Sequence, residues 1–98
     1  MYIEMKKIEE TKEHVKYQIL LSRSGEKYIN ERGRERYRVI FEKGVIEFNK
    51  KNDLIQYLHN ETSEYLLKDQ RFLAACFSIM KRCKEKNEYP LETCYASG

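Results

Sequence analysis

The chain has no tryptophan, one proline, four glycines and three cysteines among its 98 residues. No proline- or glycine-rich linker divides it, and at this length a two-domain enzyme with an interdomain cleft is not expected. No apolar run approaches the roughly 20 residues of a membrane-spanning helix. The opening MYIEMKKIEE is charged throughout and lacks an apolar core, so it does not read as a secretory signal. Cys76, Cys83 and Cys94 are an odd set. Cys76 and Cys83 lie seven apart in a helical stretch, on one face but about 10 Å apart along the axis. A disulfide needs Cα atoms within about 7 Å, so reduced thiols and a cytoplasmic location are expected.

Chemistry-bearing patterns are equally scarce. His14 and His59 are the only histidines, and neither has a His, Cys or carboxylate neighbour at metal-ligand spacing. CxxC, HExxH and EF-hand patterns are missing, and Ser24-Gly25-Glu26-Lys27 lacks the spacing and the following helix of a phosphate loop. No metal, no cofactor and no catalytic residue is expected, so the chain reads as a non-enzyme.

What is present is enough for one modest core. Leu, Ile, Val and Phe make up 23 of the 98 residues, above the roughly 20% below which a charged chain stays disordered. Eight tyrosines add amphipathic rings. Val15, Tyr17, Ile19 and Leu21 alternate with mostly polar neighbours, the period of a half-buried strand, and Ile3 and Met5 suggest a shorter strand before it. A two-residue turn at Lys43-Gly44 would close a hairpin over 36–48 and put Val39, Phe41, Ile46 and Phe48 on one core-facing patch. On that register Phe41→Ala would cost on the order of 3 kcal/mol. Ser22 to Gly33 reads as a loop, with Lys27 to Asn30 as a short edge strand.

From Asn52 the period changes. Asn52 or Asp53 is expected to cap a short helix carrying Leu54, Ile55 and Leu58, and Thr62 or Ser63 a second piece with Leu66 and Leu67. Asp69 opens a longer helix whose Phe72, Leu73, Cys76, Phe77, Met80 and Cys83 follow the 3-4 spacing of an apolar face. Pro90 ends further helix, and the final Ala-Ser-Gly reads as a frayed end. The expected fold is α+β in a single domain over 1–98. It has a small antiparallel sheet of three to five strands up to about residue 50, a helical segment over 52–87 packed on one face, and a tail over 88–98.

One constellation invites a functional reading. Residues 23–51 carry nine basic side chains against five acidic ones, a local excess of +4 in a chain of net +3. On a strand, Arg34, Arg36 and Arg38 would project from one face, and Arg32 adjoins them. Such a cationic face suits an acidic protein surface or nucleic-acid phosphates. RNA-binding faces also display aromatic rings for stacking. The hairpin register turns Tyr37, Phe41 and Phe48 to the core, which favours a protein partner. Tyr28 and Tyr57 are the expected exposed anchors, since Tyr and Arg are enriched at binding hot spots. The resulting expectation is a small cytoplasmic protein-binding module, of the scale of bacterial immunity or antitoxin proteins and small regulators, that occludes a partner. The alternative is an RNA- or DNA-binding regulator using the same basic sheet face.

Overall fold

The alternation along the first half of the chain does build strands, and they are longer than their hydrophobic pattern. The computed structural model describes residues 2–96. Strands β1 (Tyr2–Glu10), β2 (His14–Ile29), β3 (Glu35–Asn49), β4 (Ile55–Tyr57) and β5 (Glu92–Ala96) form an antiparallel sheet in the order β4-β3-β2-β1-β5. Between β4 and β5 run a 3-10 turn (His59–Glu61), a one-turn helix α1 (Glu64–Leu67) and the long helix α2 (Gln70–Lys86). The fold is α+β, a small antiparallel sheet with the helical segment on one face.

Register explains which face is covered. Ile3 lies opposite Leu21, Met5 opposite Ile19, Val15 opposite Phe48, and Tyr17 opposite Ile46. Opposed residues share a face. These side chains are fully buried against Phe72, Ala75, Cys76, Ile79, Met80 and Cys83 of α2 and Leu66 of α1. The Tyr17 hydroxyl donates to the Pro90 carbonyl at 2.6 Å, so this buried ring keeps its hydrogen bond. Helix ends are capped by short polar side chains: Ser63 accepts from Leu66 N–H, and Asp69 accepts from Arg71 N–H at 3.0 Å. Asn87, in the left-handed region at φ 52°, closes α2 before Pro90 is reached. Asp53 ties the β3–β4 turn to α2 through Lys81 at 2.9 Å and through Lys84, and these cations hold its carboxyl below the usual range.

Four local expectations are corrected. Lys43-Gly44 is not a turn but the middle of β3, where Gly44 pairs with Ile19 and is buried. A Cβ on Gly44 would stand 2.9 Å from Thr62 Cγ2 and 3.1 Å from Leu66 Cδ1. The glycine is there to let α1 and its approach pack on the strand. The stretch Ser22–Gly33 is mostly strand, since β2 runs on to Ile29 and the turn falls at Asn30–Arg34. Residues 52–58 form no helix. Asn49 Oδ1 accepts from the Lys51 and Asn52 amides, Asp53 takes φ 62°, and Ile55 and Tyr57 pair with Phe48 and Ile46 as β4. The spacing of Leu54, Ile55 and Leu58 suits either period, and the open edge of β3 decides it. Lastly, the 88–98 tail contains β5, which pairs with β1 from Lys6 to Tyr2; Ser97 and Gly98 of the expected frayed end lie outside the described residues.

Two predictions concern the core. Cys76 and Cys83 are buried, and burial pushes the Cys76 thiol up to about 12 and raises that of Cys83, whereas Cys94 is exposed. Only a thiolate is alkylated readily. Native protein is therefore expected to take up one equivalent of iodoacetamide quickly, at Cys94, and two more only on unfolding, as read by mass spectrometry. The Tyr57 hydroxyl is buried without a hydrogen-bond partner among the described residues. An unpaired buried hydroxyl opposes folding, so Tyr57→Phe is expected to stabilise the protein by about 1 kcal/mol in urea unfolding.

Candidate functional site

Strands β2 and β3 outrun the sheet. Among the described residues β1 reaches only Ser22, β4 and the segment after it accompany β3 only back to Lys43, and beyond those points β2 and β3 pair with each other alone. The result is a two-stranded ribbon projecting from the sheet, and the molecule measures 54 × 26 × 20 Å. Its radius of gyration is 15.6 Å, against about 13 Å for a compact domain of 100 residues.

The ribbon's tip is a three-residue loop. Asn30 N–H donates to the Arg34 carbonyl and Gly33 N–H to the Asn30 carbonyl, both at 3.0 Å, and Gly33 takes φ 72°. Asn30 Oδ1 also accepts from the Arg32 and Arg34 amides at 2.9 Å each. A turn followed by a left-handed glycine matches the right-handed twist of the ribbon strands. A bulge between Ser24 and Lys27 carries Gly25, over which the Ile40 side chain lies so closely that a Cβ would collide with it.

Alternation along β3 gives the ribbon two unlike faces. Tyr37, Val39 and Phe41 point to one side and are 59%, 63% and 57% exposed. Arg36, Arg38 and Ile40 point to the other. There the Arg38 guanidinium stands 5.7 Å from the Tyr28 ring centroid, and at the root Arg23 stands 4.2 Å from the Tyr65 ring while pairing with Glu42 at 3.1 Å. The exposed pair Lys27–Glu35, at 2.6 Å, links the two strands and adds little stability.

Most of the expected site residues therefore share the ribbon. Arg36, Arg38 and Tyr28 stand on it, Arg32 and Arg34 belong to its tip, and all five are exposed. Tyr57 does not belong with them. It is 7% exposed in the core between β4 and the helices, because its place opposite Ile46 turns its ring to the covered face. Arg34 precedes β3, so only Arg36 and Arg38 form a strand row. Val39 and Phe41 were expected in the core, and Tyr37 was expected to turn inward. All three are exposed, since along the unbroken β3 odd-numbered residues lie on the face opposite Gly44, Ile46 and Phe48, away from the helices. The overlooked signal was Asn30-Glu31-Arg32-Gly33, a short polar side chain and a glycine at the spacing of a three-residue hairpin loop.

Two hollows among the described residues offer less chemistry than the ribbon. A cavity of about 660 Å³ on the uncovered sheet face is lined by Tyr2, Glu4, Lys6, Leu20, Lys43 and Cys94 among others, mixed in charge and without convergent donors. A second, of about 470 Å³ beside the ribbon's root, includes Arg23, Tyr65, Arg71 and Phe72. Its arginines are already engaged by Glu42 and Asp69. Among the described residues no group of three His, Cys, Asp or Glu side chains is placed to hold a metal, and no helix is long and apolar enough to cross a membrane. Compared with protein-family models, with curated proteins and with solved structures, the chain matches none.

Proposed function

We propose that the protein is a small non-enzymatic, cytoplasmic protein-binding module that occludes an acidic partner with its projecting ribbon, in the manner of immunity, antitoxin or small regulatory proteins. The observation that carries this reading is the exposed row Tyr37, Val39 and Phe41 on an arm with no core beneath it. Three adjacent large apolar side chains held in water mark a surface made to be covered. Arg36 and Arg38 on the opposite face, with Arg32 and Arg34 at the tip, supply the charge that steers an acidic surface toward the arm. Three free cysteines fit a reducing compartment.

Nucleic acid is the second reading, and one observation favours it. Tyr28 under Arg38, with Tyr37 and Phe41 exposed, gives the ribbon the basic and aromatic mixture that base stacking uses. Val39 and Ile29 would be idle in that role, whereas a protein partner buries them. The test is affinity capture from the native host with and without nuclease, using wild type and a Tyr37→Ser, Val39→Ser, Phe41→Ser variant. A stoichiometric protein that survives nuclease and is lost with the variant supports the module. Nucleic acid lost on nuclease treatment, with no protein left behind, overturns it.

A further inference from the structure

We propose that the partner docks by strand addition: an extended segment of alternating acidic and apolar residues pairs with the open edge of β3 between Glu35 and Phe41. The inference rests on the ribbon being the docking surface and specifies how it is used.

The outer edge of β3 is occupied along one part and open along the next. Asn49 N–H donates to the Leu54 carbonyl, the Val45 carbonyl accepts from Leu58 N–H, and the Lys43 carbonyl accepts from Ser63 N–H. Val45 N–H donates to Thr62 Oγ1. Odd-numbered residues thus turn their backbone groups outward. Antiparallel pairing alternates inward and outward groups along a strand. The same must hold for Glu35, Tyr37, Val39 and Phe41, and among the described residues no backbone group bonds them on that side. The open edge is about 23 Å long, room for a segment of about seven residues.

The other free edge of the ribbon is less suited. β2 is broken there by its bulge between Ser24 and Lys27, a device that blunts an edge, while β3 continues without one. Chemistry then fixes the occupant. Residues opposite one another across a strand pair share a face. A segment on β3 would set apolar side chains beside Tyr37, Val39 and Phe41, and acidic ones beside Arg36 and Arg38. A second copy of this chain does not fit. Pairing β3 antiparallel with itself about Tyr37 or Arg38 opposes arginine to arginine, which destabilises a sheet. Pairing about Val39, which would set Arg36 against Glu42, runs Glu35 into Lys43, whose carbonyl already accepts from Ser63 N–H.

The probe is an acetylated and amidated octapeptide of alternating glutamate and valine, added at millimolar concentration to the full-length protein. Amide hydrogen exchange is followed by NMR. The expected result is slowing by at least about tenfold at the Tyr37, Val39 and Phe41 amides, with those of Arg36 and Arg38, already turned toward β2, unchanged. A peptide of the same composition in two blocks should lose the effect. Methylating either the valine or the glutamate nitrogens removes donors from opposite sides of the added strand. One of these two peptides should therefore bind and the other fail. Exchange that is unchanged, equal protection by the block peptide, or equal affinities of the two methylated peptides would overturn strand addition. Displacement of the octapeptide by a single-stranded oligonucleotide at physiological salt would overturn the choice of a peptide ligand. If a captured partner depends on Tyr37, Val39 and Phe41 yet leaves their amides exchanging freely, the ribbon remains the docking surface and strand addition alone falls.

Discussion

Phe48→Ala is expected to destabilise the protein by about 3–5 kcal/mol, while Phe41→Ala changes its stability by less than about 0.5 kcal/mol. The two phenylalanines lie on one strand, seven residues apart, and a hairpin register would have made them equal members of one core patch. Phe48 is fully buried, opposite Val15, with its ring edge-on to Phe77 at 6.4 Å between centroids. Truncating it leaves a cavity walled by β2 and α2, which cannot collapse without moving the sheet. Phe41 stands on the ribbon with more than half its surface in water and loses little by truncation. Urea midpoints of the two variants decide the matter. Similar losses for both would mean that residues 36–48 fold back on themselves and that no ribbon projects.

The contrast also marks how far residues alone could be read. The core face of β2 was legible because Val15, Tyr17, Ile19 and Leu21 alternate without a break, and all four are buried. The helix over 70–86 was equally plain, with Asp69 as its cap and Phe72, Cys76, Met80 and Cys83 on its buried side. Gly44 misled because a glycine between two apolar runs signals either a tight turn or a close approach by another element. Only tertiary packing separates the two: Thr62 and Leu66 occupy the space above it, and Gly33 supplies the turn. Once the turn moves from 43–44 to 30–34, residues 35–41 shift from the core to the arm. The arginine cluster therefore stands on a projecting ribbon and not on the outer face of a hairpin that covers the core. Its aromatic neighbours were placed inward because a turn at 43–44 reverses the parity of the strand: without it Phe41 and Phe48, an odd number of residues apart, lie on opposite faces. Tyr57 erred in the opposite direction, since a three-residue strand has too few alternations to reveal which side is buried.

Changing Arg34, Arg36 and Arg38 together to Ser is expected to leave the melting temperature within a few degrees of wild type and to weaken partner binding by about 100-fold or more. All three are exposed, none is ion-paired among the described residues, and the Arg38–Tyr28 contact is worth only about 0.5–1 kcal/mol. Binding suffers because the ribbon presents few other free cations. Arg23 is paired with Glu42 and Lys27 with Glu35, so Arg32 and the three substituted residues carry most of the field that draws an acidic surface in. Charge and apolar contact should then separate kinetically. The arginine variant is expected to lower the association rate and flatten its salt dependence, whereas Tyr37→Ser, Val39→Ser and Phe41→Ser together raise the dissociation rate. Surface plasmon resonance against the captured partner at two salt concentrations reads both. An arginine variant that associates at the wild-type rate with the same salt dependence would remove the basic row from the site and leave the apolar row alone to hold the partner.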